Sequence, residues 1–314
     1  MYVQSFPLSC RMKNTTSPWP RLDFNSLKDS LETLHHWVQI VGKIRLKTMP
    51  WQNHSWHTTL YVTPNGFSTQ SIPFEGGAFQ IDFDFIHHFL SVKSTHSKEL
   101  KMDLYPRTVA SFYKELFKLL DEIGLKVDIY AKPNEMEKAI PFAENELNKS
   151  YDKVEVRKFW EAMVKINCVF TSFRSEFIGK CSPIHLFWGA FDLAVTRFSG
   201  KKAPLHSGGM PNMPLKVMQE AYSHEVSSAG FWPGSSSFPE PAFYAYCYPT
   251  PDEFANQKVL PKETFYSADM GEFFLKYSDV AAAENPEEML MQFLQSTYEA
   301  AANTLDWDRE ALER

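Results

Sequence analysis

The sequence predicts an α+β fold made of two similar halves, each reading helix, mostly antiparallel strands, helix. Three observations predict it: amphipathic helices open and close each half, the strands between them are short, and hairpin signals rather than regular crossover helices connect those strands. A polar stretch over residues 132–153, rich in Glu and Asn, is the predicted junction between residues 1–131 and residues 154–314. We expect the halves to pack as one compact unit.

In the first half, apolar residues recur at spacings of three and four in two places, which predicts two amphipathic helices. Between them, Asn65-Gly66 separates two apolar runs and predicts a hairpin. Apolar and polar residues alternate over 79–85, as in a strand with one buried face. The predicted elements are a helix over 27–41, strands over 56–63, 67–72, 79–85 and 100–104, a helix over 109–123 and a strand over 127–129.

The second half opens with the clearest helix of the chain, because its apolar residues keep the three-and-four spacing throughout. The segment 199–241 is rich in Gly, Ser and Pro and predicts a long loop. Asn285, Pro286 and Glu288 form a helix-start signal near the end of the chain. The predicted elements are a helix over 156–177, strands over 185–197 and 242–248, and a helix over 286–301.

Two distant blocks each place a histidine before an apolar run, and they align without a gap from the histidine to a closing proline. The first block covers 54–73 and the second covers 185–204; Gly42-Lys43 and Gly179-Lys180 precede them. Under internal duplication, His54 and His185 occupy equivalent positions and face one cleft between the halves. Chance alignment of two apolar strands is the alternative, because identities between the blocks are few.

Composition restricts the classes of partner. The formal net charge is −6 with acidic and basic residues interspersed, which argues against a nucleic-acid surface. No apolar run approaches the length of a membrane span, and residues 1–20 hold no apolar stretch of signal-peptide length. The cysteines Cys10, Cys168, Cys181 and Cys247 lack C-x-x-C spacing. We therefore expect a cytoplasmic protein with reduced thiols and with neither nucleic acid nor a membrane as partner.

Seven strings of residues stand out along the chain. They cover 39–46, 50–54, 60–63, 182–189, 191–200, 223–228 and 230–234. Together they resemble a family catalogued as domain of unknown function 5996, and the resemblance spans nearly the whole chain. Ser55 and Ala190 stand where the family pattern has an aromatic residue and a serine, and both histidines of the two blocks are kept. The resemblance implies no activity, cofactor or site residue.

Titratable and aromatic side chains in these strings define a candidate site. The candidate catalytic residues are His54, His185, His224 and Glu225. The candidate substrate-binding residues are basic, acidic or aromatic: Lys43, Arg45, Trp51, Trp188, Asp192, Arg197 and Trp232. Aromatic residues make up 15% of the chain, which favours either an aromatic-lined cleft or an aromatic core. The loop over 199–241 is the expected lid of the cleft.

Two kinds of chemistry suit these residues. Neutral imidazole and carboxylate bind zinc or non-haem iron, so the four candidate catalytic residues are also candidate metal ligands, although no H-E-x-x-H motif is present. Alternatively, a histidine moves a proton while Glu225 or Asp192 fixes its tautomer. On a strand over 185–197, Arg197 shares a face with His185 and is placed to hold a carboxylate or phosphate. No nucleotide-binding motif occurs.

These residues favour an enzyme that acts on a small anionic molecule in an aromatic- and histidine-lined cleft, by acid/base or metal-assisted chemistry. A non-catalytic module that binds a small molecule or a peptide is the alternative. A structural interaction protein is a third, and it predicts an exposed apolar patch without a deep pocket. The oligomeric state stays open.

Overall fold

The structure of this chain is a computed structural model that describes residues 18–136, 138–209 and 213–314. Cys10 and the expectations for the first 17 residues lie outside the described residues. Within the described part of the chain, no helix combines the length and the apolar character that crossing a membrane requires.

The first half is a helix, an antiparallel sheet and a second helix. The sheet has the strand order β1-β2-β4-β5-β6, and β3 pairs with β4. A 3-10 turn, Asn53–Ser55, precedes the first strand. The elements are α1 (Phe24–Thr48), β1 (Tyr61–Val62), β2 (Gly66–Ser68), β3 (Ile72–Phe74), β4 (Gly77–Asp84), β5 (Phe89–Ser94), β6 (Ser97–Asp103) and α2 (Val109–Glu122).

The second half contains a second antiparallel sheet, whose strands have the order β11-β12-β10-β9-β8-β7. The long helix α6 packs on β9 and β10, and α3 packs on β8. The elements are α3 (Lys153–Ser175), β7 (His185–Phe187), β8 (Asp192–Lys202), α4 (Leu215–Ala221), β9 (His224–Trp232), β10 (Ala242–Tyr248), β11 (Phe265–Ser267), β12 (Glu272–Lys276), α5 (Tyr277–Ala282), α6 (Pro286–Thr304) and α7 (Arg309–Leu312).

The two halves share one hydrophobic core and are joined by backbone pairing. Leu60, just before β1, and Leu186 in β7 exchange both backbone hydrogen bonds, at 3.0 and 2.8 Å. The Trp188 indole N–H donates to the Thr58 carbonyl at 2.8 Å. A Cβ built at Gly42 in α1 would overlap the Trp188 ring, so only glycine allows this helix to pack so closely against Trp188. The predicted α+β fold is therefore confirmed, with both sheets antiparallel.

Three long helices agree with the prediction: α2, α3 and α6 lie within a few residues of their predicted ranges. The spacing of apolar residues that predicts such a helix is a property of the local sequence alone. The predicted strand over 127–129 is absent among the described residues. Four strands lie wholly outside the predicted ones: β5, β9, β11 and β12. Internal duplication is not confirmed, since the strand orders of the two sheets differ.

Two predictions about the second half were wrong. The strand over 185–197 is a hairpin, in which β7 and β8 are joined by a turn that includes Phe191 at φ 63°. The segment 199–241 is not one long loop, because it contains α4 and β9. β9 pairs with β8 on one side and β10 on the other. An interior strand of a sheet cannot open as a lid without breaking the sheet.

Candidate functional site

His54 lies on a strained turn that the second half of the chain holds in place. Its φ is 56° and that of Ser55 is 59°, a left-handed conformation that residues other than glycine rarely adopt. The His54 backbone N–H donates to Glu220 Oε1 at 2.8 Å, and α4, which carries Glu220, packs against the turn. Strain of this kind persists only where the surrounding structure compensates for it, and it often marks a functional position.

The hydrogen bonds of His54 fix its tautomer. Its Nε2 lies 2.7 Å from Lys180 Nζ, and its Nδ1 lies 3.3 Å from the Ala221 carbonyl oxygen. An ammonium group only donates, so Nε2 accepts from Lys180, and Nδ1 carries the proton and donates to Ala221. Burial and then the positive charge of Lys180 lower the pKa of His54. His54 is therefore a neutral imidazole with an acceptor directed at a lysine.

Lys180 is a cation that packs on aromatic rings. Its Nζ lies 5.6 Å from the centroid of the Trp56 ring and 5.1 Å from that of Phe198. None of the ion pairs among the described residues involves Lys180, and the residue is exposed to solvent. Desolvation lowers its pKa. An anion that reaches this surface therefore meets an unpaired positive charge.

His224 completes the group around His54, but Glu225 does not. The rings of His224 and His54 have centroids 6.3 Å apart, and His224 Nδ1 lies 3.0 Å from Ser223 Oγ. Successive residues of a strand point to opposite faces, and Glu225 instead accepts a hydrogen bond from Ser199 Oγ at 2.9 Å. We call His54, Trp56, Lys180, Phe198 and His224 the histidine cluster.

His185 is close to this cluster and fully buried. Its exposed fraction is 0%, and neither ring nitrogen has a hydrogen-bond partner within the described part of the chain. Burial lowers its pKa to about 3, so it is neutral. The ring of Trp56 neighbours both histidines, with centroids 5.3 Å from His54 and 6.5 Å from His185. His54 and His185 therefore share one indole as a neighbour.

The candidate metal ligands do not converge on one point. No set of three or more His, Cys, Asp or Glu residues in the described ranges is arranged to hold a metal ion. His185 forms no hydrogen bond through either ring nitrogen among the described residues, and Glu225 lies on the other face of β9 from His224. These residues do not fit the three- or four-ligand arrangement of a zinc or iron centre.

Arg197 lies away from the histidine cluster. His185 pairs with Ala194 across the hairpin, so Arg197, three residues beyond Ala194, points to the opposite face, and the predicted shared face was wrong. Its guanidinium is 1% exposed and stacks 3.6 Å from the centroid of Phe173 and 4.3 Å from that of Tyr298. Burial lowers its pKa to about 10. Its contacts are those of a cation held inside the aromatic core.

The other predicted binding residues are also dispersed. Arg45 is buried and donates to the Thr69 carbonyl, whereas Trp51 is 64% exposed. Trp232 is partly buried, with its ring centroid 5.9 Å from that of Phe238. The fold therefore places these predicted binding residues in separate environments.

Asp192 belongs to a second group, which we call the carboxyl cluster: Glu135, Asp192, Glu272 and Tyr244. The Tyr244 hydroxyl donates to Asp192 Oδ2. Burial raises the pKa of Asp192 to about 6, and burial together with the charge of Asp192 raises those of Glu135 and Glu272 to about 7. Both glutamates are only partly buried. Burial therefore disfavours the charged form of all three carboxyls.

Several of these residues were missed by the sequence analysis. Lys180 had a usable signal, because Gly179-Lys180 precedes the second histidine block as Gly42-Lys43 precedes the first. Glu220 and Glu272 had none, since nothing in their local sequence indicates which distant residue they contact.

One family model matches the chain, a family of unknown function (DUF5996), over residues 19–314. No curated protein and no solved structure matches it. The match covers nearly the whole chain and confirms the resemblance seen in the sequence.

Proposed function

We propose that this chain, which belongs to the DUF5996 family, binds a small anionic molecule at Lys180 and acts on it by acid/base chemistry at His54. One observation carries the proposal: an unpaired ammonium group rests on two aromatic rings and donates to a neutral imidazole of fixed tautomer. A cation that has no carboxylate partner is free to pair with a ligand carboxylate or phosphate.

The same contacts suggest how binding leads to proton transfer. A ligand anion at Lys180 competes with His54 Nε2 for the ammonium protons, which releases Nε2 as a proton acceptor beside the ligand. The Ala221 carbonyl keeps its hydrogen bond to Nδ1 and stabilises the imidazolium that forms. His224, with its ring centroid 6.3 Å from that of His54, is the second titratable group at this surface.

A non-catalytic binding module is the second candidate, and one observation favours it. Burial and the charge of Lys180 lower the pKa of His54, which makes the imidazole a weaker base near neutral pH. In that case the anion binds at Lys180 without turnover. We also propose a cytoplasmic location, which the free thiols of Cys181 and Cys247 support, because thiols stay reduced there.

The binding step is tested by titrating the full chain with inorganic phosphate while the ring signals of His54 are followed by NMR. Lys180→Met keeps the apolar stem on Trp56 and Phe198 but removes the charge, so the phosphate-dependent shift of His54 should disappear. Lys28→Met, at an exposed position of α1, is the matched control and should retain the shift. An unchanged titration in Lys180→Met means that the anion does not bind at this lysine.

The catalytic step is tested with His54→Asn, because asparagine tolerates the left-handed backbone better than other polar residues. Turnover is measured on a panel of phosphate and carboxylate esters, and phosphate binding by calorimetry. An enzyme loses turnover in His54→Asn and still binds phosphate. A binding module binds phosphate but shows no turnover even in the unaltered protein. That result would favour the binding module over the enzyme.

A further inference from the structure

A second lysine lines a recess that lies apart from the residues of the histidine cluster. The recess has a volume of about 500 Å³ and lies between α1 and the segment 128–131. Its lining residues are Lys43, Leu46, Lys47, Asp128, Ile129, Tyr130 and Ala131. Lys43, Leu46 and Lys47 are three and four residues apart, so they share one face of the helix. Two lysines, one aspartate and one exposed tyrosine therefore line the same space.

The Lys43 side chain is held in a defined position. The residue is 4% exposed, and its Nζ lies 5.3 Å from the centroids of both the Trp188 and the Tyr130 rings. Lys43 Nζ donates to Asn134 Oδ1. Asn134 is itself fixed by Gln39, which accepts from the Asn134 N–H at 2.8 Å and donates to the Asn134 carbonyl at 2.9 Å. The amine is thus oriented by neutral groups.

The chain keeps a nearby carboxylate away from this amine. Glu135 follows Asn134 directly, yet none of the ion pairs among the described residues involves Lys43. Glu135 has φ 55°, and its carboxyl lies against Gly189, where a Cβ would overlap it. The side-chain amide of Asn134 therefore points toward Lys43, whereas the strained backbone of Glu135 turns its carboxylate toward Gly189.

We propose that Lys43 is a nucleophilic amine that takes a small aldehyde or ketone bearing an anionic group as a Schiff base, with Lys47 holding the anionic group. The ammonium first gives one proton to water, and the neutral amine attacks the carbonyl carbon. A carbon–nitrogen double bond replaces the carbonyl bond, and the carbonyl oxygen leaves as water with the two remaining amine protons. No electrons are gained or lost, so no further reactant is needed.

Burial supports this role. It lowers the pKa of Lys43 to about 8, and a desolvated lysine without a carboxylate partner is the form that reacts with carbonyl compounds. At pH 8 about half of such an amine is neutral, against less than about 1% of an ordinary exposed lysine. The inference does not rest on the function proposed for His54.

Pyridoxal 5′-phosphate is a suitable probe, because it carries an aldehyde and a phosphate group. The full chain is incubated with it at limiting concentration near pH 8, reduced with borohydride and mapped by peptide mass spectrometry. We expect one labelled position, Lys43, modified at least about tenfold faster than any other lysine. Lys47→Met should raise the half-saturating concentration severalfold, whereas Lys28→Met should leave it unchanged.

The labelling map of the unaltered protein decides the matter even if a variant fails to fold. Label spread over exposed lysines, or label on Lys43 only in urea, overturns the proposal. Lys180→Met separates this inference from the function proposed above: Lys43 should still be labelled at the normal rate, whether or not phosphate shifts the His54 signals.

Discussion

Replacing Glu272 by glutamine should stabilise the protein in a pH-dependent way. Glu272 begins β12, and burial together with the charge of Asp192 raises its pKa from 4.5 to about 7. The folded protein therefore binds this proton more tightly than the unfolded chain does. Stability is highest below about pH 4.5, falls as the pH rises toward 7, and stays low above that, because the unfolded chain ionises freely whereas burial in the folded protein disfavours the ionised form.

The size of the effect follows from the shift. A change in pKa from 4.5 to about 7 corresponds to about 3 kcal/mol between the two protonation states. Water reaches the partly buried carboxyl, so about 1 to 2 kcal/mol is the practical expectation. Glutamine has the same size and does not ionise. Glu272→Gln should thus raise the free energy of unfolding by about 1 to 2 kcal/mol near pH 8, and by less than about 0.5 kcal/mol near pH 4.5.

Urea unfolding followed by tryptophan fluorescence at the two pH values measures this difference. Glu122→Gln, at a glutamate whose side chain is 46% exposed, is the matched control and should change little at either pH. Equal effects of Glu272→Gln at both pH values would show that ionisation of Glu272 does not destabilise the fold. Destabilisation near pH 8 would contradict the prediction as well, since it would show that an ionised Glu272 has a stabilising partner.

Two further substitutions test the packing around the proposed sites. Gly42→Ala places a Cβ inside the Trp188 ring and should lower the free energy of unfolding by about 2 kcal/mol or more. An unchanged thermal midpoint would mean that the two halves adjust freely to the added methyl group. Arg197→Met should leave stability within about 1 kcal/mol or raise it, because the guanidinium is desolvated among Phe173 and Tyr298 and forms none of the ion pairs among the described residues. A loss of several kcal/mol in urea unfolding would show that the stacked cation itself stabilises the fold.

The long helices were predictable because their signal is local. The three-and-four spacing of α3 needs no knowledge of the rest of the chain. β9 shows the opposite case, since its Ser227-Ser228-Ala229-Gly230 core has the composition of a loop. In the fold, the Tyr244 ring of β10 occupies the space above Gly230. The large side chain that is typical of a strand is therefore supplied by β10 and not by β9 itself. Composition of the strand alone could not reveal it.

The candidate site was predictable to a smaller extent. His54 stood out as a titratable residue in a distinctive string, and the fold places it against His224. Its two decisive contacts, with Lys180 and with Glu220, join positions 126 and 166 residues apart in the chain. Arg197 was assigned to the wrong face, because the apolar turn at 188–191 has the composition of a strand interior and concealed the hairpin.

The distribution of charge supports the proposals that Lys43 and Lys180 meet ligands. Lys43 and Lys180 each rest on aromatic rings without a carboxylate among the described ion pairs, and the carboxyl cluster holds its negative charge elsewhere. Pairing Lys43 with Glu135 would need only a local change, because Glu135 follows the residue that holds the amine. Unpaired, desolvated charges destabilise a fold, and the left-handed backbone of Glu135 adds strain. An arrangement that keeps opposite charges apart at such a cost is expected where each charge must meet a ligand.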